Sequence, residues 1–203
     1  MTNKELVKNL QYKGVLKTAS IIKAFENIDR KDFVLKKYQN EAYEDIPLPI
    51  GYGQTISQPY TVAFMLELLN PKTGDKVLDV GSGSGYSSAL LAEIVGESGK
   101  VEAREIIGDL LKQAKENIKK YPYLNINFSF PQDDTSQEGQ IYDRILVSAA
   151  ADKIPNYLTK QLKTKGKLVI PINNSIYKIT KKEDNSIEKQ EFYGFSFVAL
   201  INN

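Results

Sequence analysis

Residues 77–86 read VLDVGSGSGY, an apolar run with one acid inside it, followed by alternating glycines. That pattern predicts a buried strand that leaves through a tight turn into a helix. The flanks agree. KVLDV (76–80) reads as strand, and SSALLAEIVG (87–96) as a helix stopped at Gly96. The rhythm then repeats. KVEAREI (100–106), INFSF (126–130), DRILVSAA (143–150) and GKLVIPI (166–172) read as strands. GDLLKQAKENIKKY (108–121) reads as an amphipathic helix, and IPNYLTKQLK (154–163) as a helix stopped near Gly166. Strands alternating with helices of this length indicate βαβ units and a parallel sheet covered on both faces. The tail changes character. SIYKITKKED (175–184) and SIEKQEFYGFSFVALI (186–201) predict two β runs around residues 181–185, added antiparallel at the sheet edge.

Upstream of the turn, the first forty residues read as helices. Leu6, Leu10 and Leu16, then Ile21, Ile22, Ala24, Phe25 and Ile28, recur at helical spacing among charged residues, and a short helix is expected near Lys31–Phe33. Prolines and glycines crowd 46-IPLPIGYGQTISQP-59, which is expected to form no regular element. A helix follows over 60–69 and ends at Asn70-Pro71. The expected organisation is one domain over 1–203: a helical cap and loop over 1–58, and an α/β core with antiparallel C-terminal strands over 59–203.

The chain has 203 residues, a net charge of +2, and neither histidine nor cysteine. Disulfides, thiolate metal sites, a cysteine nucleophile and imidazole catalysis are excluded. No metal site is expected. The polar start MTNKELVKNLQ has no apolar signal core, and no run reaches the ~18 apolar residues of a membrane span. A cytoplasmic monomer without a membrane partner is expected. Lys163, Lys165 and Lys167 around Gly166 read as a solvated turn, and Lys181-Lys182 as a hairpin tip. Neither has the interleaved aromatics of a nucleic-acid surface, so no nucleic-acid partner is expected.

In an open α/β sheet a ligand binds at the carboxyl ends of the strands, beside the switch point. The turn is G-x-G-x-G, with Tyr86 where a dinucleotide fold has its third glycine. It also lacks the Lys-Ser/Thr of a phosphate loop. Asp79, two residues before the turn, suits a cation and repels a pyrophosphate. The turn therefore reads as a site for S-adenosylmethionine, with Gly81, Ser82 and Gly83 against the ligand and Gly85 allowing close helix–strand packing. Glu105, at the end of the second strand, is placed to hold a ribose diol; Glu102 is the competitor, earlier in the strand. Asp133 or Asp134, after the third strand, can accept from an adenine amino group. Small residues in 148-SAAADKIP-155 either let a substrate main chain pass or pack against a helix. Tyr60 either packs on the donor or fills the loop.

The segments 47-PLPIGYGQTISQP-59, VLDVGSGSGYSSALLAEIVG and 142-YDRILVSAAADKIPNYLTKQLKTKGKLVIPI-172 resemble the protein-L-isoaspartate O-methyltransferase family, and the likeness covers most of the chain. The resemblance implies a doubly wound, mostly parallel seven-stranded sheet of the class I methyltransferase kind with an N-terminal helical cap. It implies methyl transfer from S-adenosylmethionine to the α-carboxylate of L-isoaspartyl residues in damaged proteins or peptides, after which the ester cyclises to a succinimide. Thr55, Ile56 and Ser57 match the segment that closes over the donor, with Ser57 at the active-site serine. Asp79, Gly81, Ser82 and Gly83 match the cofactor turn, Glu105 the ribose acid, and Asp133 the Asp of a Gly-Asp-Gly element. The chain departs at Gln132-Asp133-Asp134, at Gln58-Pro59-Tyr60 where Ala-Pro-His is common, and in its FVAL tail. Two alternatives stand beside this reading: a methyltransferase of another carboxylate or small molecule, and an inactive S-adenosylmethionine-binding module. Without histidine Ser57 cannot be a triad nucleophile; it is expected to position the acceptor carboxylate, and Thr55 and Ser57 can also cap the following helix.

Overall fold

The computed structural model describes residues 1–131 and 141–199. Its centre is a seven-stranded sheet in the order β5-β4-β3-β6-β7-β8-β9. The strands are β3 (Lys76–Val80), β4 (Lys100–Arg104), β5 (Ile126–Ser129), β6 (Tyr142–Val147), β7 (Leu162–Ile172), β8 (Ser175–Lys181) and β9 (Ile187–Tyr193). β5 through β7 pair in parallel, and β8 and β9 complete the sheet as an antiparallel edge. Side-chain alternation gives each face its own core. Val77, Leu146 and Val169 join one buried cluster, while Leu78, Ile145, Val147, Leu168 and Ile170 join another.

The helices are α1 (Asn3–Tyr12), α2 (Ala19–Asn27), α3 (Pro59–Leu69), α4 (Tyr86–Val95), α5 (Gly108–Asn117) and α6 (Asn156–Lys160). Thr2 and Glu5 cap α1 reciprocally, which satisfies N–H groups that no helical carbonyl can reach. Pro59 starts α3 with φ already helical, and Asn70 ends it in the left-handed region at φ 49. The amphipathic stripes of α1 and α2 do not form a separate core. Leu6, Leu10, Ile21 and Phe25 share one cluster with Ala89 and Leu90 of α4. The cap therefore rests on the helix that the glycine turn begins. The short helix expected near residues 31–33 is a 3-10 turn, Arg30–Phe33.

Three expectations are corrected. The segment 46–59 does contain regular structure: β1 (Leu48–Gly51) and β2 (Gln54–Ile56) form an antiparallel hairpin. Tyr52 and Gly53 turn it with φ 54 and 72, the left-handed pair a two-residue hairpin needs. Pro49 is tolerated because each strand of a two-stranded ribbon has a free edge. Second, α6 ends at Lys160 and the next strand starts at Leu162. Gly166 is not a helix stop. Leu162 pairs with Tyr142 and Lys167 with Arg144, so residues 163–166 bulge out of register. A Cβ on Gly166 would lie 2.7 Å from the Lys163 carbonyl oxygen, hence glycine there. The expected solvated turn is this bulge, although Lys163 is tied to Asp143 at 2.8 Å. Third, the last β run stops at Tyr193, where Gly194 takes φ 97 and turns the chain back over the site. Lys181-Lys182 does lie at the β8–β9 hairpin tip. No helix among the described residues is long and apolar enough to cross a membrane.

Candidate active site

The chain runs from β3 outward through β4 and β5, then returns to place β6 on β3's other side. The order reverses at that point, and the Gly81–Gly85 turn sits there. Gly83 takes φ 54, and a Cβ on it would meet Ile50 Cδ1 of the hairpin at 3.1 Å. The hairpin therefore lies directly on the turn. Gly85, at φ 88, begins α4. A Cβ there would meet Ala114 Cβ at 3.2 Å and Phe128 Cζ at 3.4 Å. Gly85 thus packs the turn closely against α5 and β5, as its place at the end of the turn led us to expect, and it does not line the cleft between turn and hairpin.

Between turn and hairpin lies a narrow cleft. Thr55, Ile56 and Ser57 wall one side, and Gly81, Ser82 and Gly83 the other. Ser87 and Ser148 also line it, neither anticipated individually as a cofactor residue. Two residues of the wall, Ser82 and Tyr86, carry buried hydroxyls without a hydrogen-bond partner among the described residues. Burial pushes the Tyr86 phenol far above its ordinary range.

Asp79 is fully buried beneath this cleft and does not itself line it. It accepts hydrogen bonds from Ser87 Oγ at 2.8 Å, Ser88 Oγ at 2.6 Å and Ser148 Oγ at 3.3 Å. Burial raises its carboxyl above the ordinary Asp value, the three hydroxyls oppose this, and neighbouring Glu105 adds to it. Glu105 follows β4 and is buried; its carboxylate accepts from the Gly83 N–H at 2.8 Å and the Ile107 N–H at 2.9 Å. Each of its oxygens keeps a further lone pair. No cation among the described residues stabilises Asp79. Two buried acids at the turn, with the buried Ser82 hydroxyl in that turn, fit a positively charged nucleoside ligand. Glu102 pairs with Lys100 and Asn127, away from the turn. Asp133 and Asp134 lie outside the described residues.

A second, larger cavity of about 780 Å³ opens on the hairpin's other side. Thr55, Ser57 and Ser148 line it as well, so these three form the wall between the two spaces. Its far side is the tail, from Tyr193 through Val198, with Tyr60 at the rim. Tyr60 therefore faces this cavity and not the cleft. The tail is held by Ala150 N–H donating to the Val198 carbonyl at 2.8 Å. The alanines after β6 thus seam the tail and β7 to the sheet. Gln58 is the N-cap of α3 without a cap bond from its own side chain, and the first-turn N–H of Tyr60 donates instead to Asp45 Oδ1 at 2.8 Å, so Ser57 and Thr55 are not caps. At the hairpin tip, Tyr52 donates its phenol proton to Asp109 at the start of α5, at 2.7 Å.

A sulfonium nucleoside held at the first bend of a mostly parallel sheet is the business of class I S-adenosylmethionine-dependent methyltransferases, and this sheet and site have that form. Comparison narrows the class. The family model described as Protein-L-isoaspartate(D-aspartate) O-methyltransferase (PCMT) matches residues 1–203, and the chain belongs to that family. It is 44% identical over 184 residues to protein-L-isoaspartate O-methyltransferase 2 of Archaeoglobus fulgidus, covering 89% of this chain and 84% of the relative. The protein-L-isoaspartate O-methyltransferase of Ignicoccus hospitalis is 40% identical over 204 residues, covering 98% and 96%. A Plasmodium falciparum chain designated a protein-L-isoaspartate O-methyltransferase, solved with S-adenosyl-L-homocysteine, superposes with a TM-score of 0.89 at 30% identity, each chain fully covered.

Proposed function

We propose that residues 1–203 act as one domain that transfers a methyl group from S-adenosylmethionine to the α-carboxylate of an L-isoaspartyl residue in a damaged protein or peptide. Family membership supports the reaction, and one observation carries its layout. Two cavities, one on the glycine turn and one beneath the tail, share the wall of Thr55, Ser57 and Ser148. A donor on one side and an acceptor on the other meet at that wall.

S-adenosylmethionine supplies a methyl group on a sulfonium whose leaving group is a neutral thioether. The turn residues Gly81, Ser82 and Gly83 hold this donor, and Ser87 and Ser148 present the negative charge of Asp79 to it. Glu105 takes the ribose hydroxyls on its free lone pairs. Asp133 and Asp134 are proposed to serve the adenine. The acceptor carboxylate is ionised at neutral pH, so no base is needed to create the nucleophile. Its oxygen forms the new C–O bond as the C–S bond breaks, and the electron pair stays on sulfur. The Ser57 hydroxyl donates to the second carboxylate oxygen and aims the first. The hairpin and tail keep water out.

The test uses labelled S-adenosylmethionine and two peptides differing only in L-isoaspartate against L-aspartate. Base-labile label on the isoaspartyl peptide alone is expected. Label on neither, with donor binding intact, sinks the acceptor assignment. We further propose a cytoplasmic monomer without nucleic-acid or membrane partners, in keeping with a net charge of +2. A dimer in sedimentation at assay concentration, or association with nucleic acid, refutes it.

A further inference from the structure

Arg30 is the unusual residue of the cap. Its side chain is fully buried, yet among the described residues no carboxylate lies within ion-pair distance of it. The guanidinium spends both Nη groups on backbone carbonyls, while its buried Nε has no partner among the described residues. Nη1 donates to Ala42 at 2.6 Å and to Glu44 at 3.4 Å. Nη2 donates to Ile46 at 2.9 Å and to Ser57 at 3.1 Å. Burial lowers its pKa to about 10, so it remains a cation at neutral pH. A buried charge of this kind contributes little net stability, because its desolvation offsets most of what its partners return. What it fixes is geometry.

The four carbonyls are not scattered. Ala42, Glu44 and Ile46 lead into the hairpin, and Ser57 leaves it. One planar fork therefore joins the two ends of the hairpin at its base. Ser57, whose carbonyl it holds, is in the wall between the two cavities. We infer that Arg30 is a positioning residue for methyl transfer, its fork closing the hairpin base and setting where Ser57 presents its hydroxyl to the acceptor. This rests on the acceptor role proposed for Ser57. A lysine cannot replace the fork, since an ammonium is a point donor without the planar spacing that spans both chain ends.

The experiment is a double-mutant cycle with R30K, R30Q, S57A and the two combinations. Thermal melting, S-adenosylhomocysteine affinity, and kcat and KM for an isoaspartyl peptide are read on each. S57A is expected to lose about 10- to 100-fold in kcat. R30K and R30Q are expected to stay folded, to bind S-adenosylhomocysteine within about threefold of the parent, and to lose about tenfold or more in kcat. On the S57A background the same changes are expected to cost less than about twofold, because the group they position is gone. Equal losses on both backgrounds, or unchanged kcat in R30K and R30Q, overturn the inference. So does failure of both variants to fold, which makes Arg30 a requirement of the fold alone. An active parent with S57A unaffected removes the Ser57 reading instead, and is distinguishable because it appears without any change at Arg30.

Discussion

Asp79→Asn separates the two roles a buried acid can have, because its effects on donor binding and on folding carry opposite signs. Asp79 sits one hydroxyl away from the cleft on the glycine turn, 2.8 Å from Ser87 Oγ. A donor cation one further hydrogen bond away lies roughly 6 Å from the carboxylate, and at an effective dielectric near 20 their attraction is about 3 kcal/mol, roughly 100-fold in affinity. Asn keeps the volume and one acceptor, and serine hydroxyls can rotate to accept from its NH₂. The variant therefore loses charge without losing hydrogen bonds. Its ligand-free melting temperature should equal or exceed the parent's, because burial already disfavours the charged form. Titration calorimetry with S-adenosylmethionine or its homocysteine product reads the first effect, and calorimetric melting the second. The pH dependence follows with its sign fixed. The native Asp79 carboxyl binds its proton more tightly than the unfolded chain's. Its contribution to stability thus grows as pH falls from that raised value toward the ordinary carboxylate range, while donor affinity weakens over the same interval. Asp79→Asn should flatten both slopes. Unchanged donor affinity, or a variant that melts lower and binds as well as the parent, refutes this account.

Three further outcomes follow from the same geometry. Gly85→Ala places a methyl group 3.2 Å from Ala114 Cβ at φ 88. The left-handed conformation costs about 1–2 kcal/mol and the overpacking about 1–3, which lowers the melting temperature by roughly 4–20 °C. Gly81→Ala, whose Cβ would meet nothing closer than 3.8 Å, should lose only the conformational part; equal melting of the two variants contradicts the packing role. Tyr52→Phe removes the bond to Asp109 that holds the hairpin tip to α5. Stopped-flow should show S-adenosylhomocysteine leaving several-fold faster with melting nearly unchanged, and an unaltered off-rate denies the tip any role in closure. Asp143 is partly desolvated, yet the Lys163 ammonium and the Lys76 N–H hold its carboxyl below the ordinary range. Its stabilising contribution is present above the usual Asp value and fades as pH falls through its lowered one, so Asp143→Asn should weaken the acid slope of stability.

The sheet was legible because its signals are local. Alternation in KVLDV and a glycine turn into SSALLAEIVG need no tertiary information, and both elements fall where those residues indicate. The position of Glu105 near the end of the second strand was legible for the same reason, although that strand stops at Arg104 and not at Ile106. What escaped depends on partners distant in the chain. Nothing in IDRKDF marks Arg30 as buried, since its partners lie 12 to 27 residues away and are carbonyls that every sequence contains. The hairpin was hidden by its composition. Proline and glycine usually break elements, but an isolated ribbon needs both a turn with positive φ and strands that tolerate a missing N–H. The Ser87–Asp79 contact was readable in principle. A side chain in the first turn of a helix leans toward its N-terminus, and here that end points at the strand the acid belongs to.

That segment 46–59 is a hairpin and not a loop bears on catalysis. With donor and acceptor in the two cavities as proposed, their alignment supplies the rate only if the wall between them keeps its place against thermal motion. A loop of fourteen residues, 46 through 59, would not. This one is paired Leu48 to Ile56 and Pro49 to Thr55. It rests on Gly83 through Ile50, is tied at its tip by Tyr52 and Asp109, and is closed at its base by Arg30. Each tie comes from a different part of the chain: the glycine turn, the start of α5 and the helical cap. A chain lacking histidine thus places a hydroxyl between two cavities by backbone geometry, and the acceptor's own charge supplies the nucleophile.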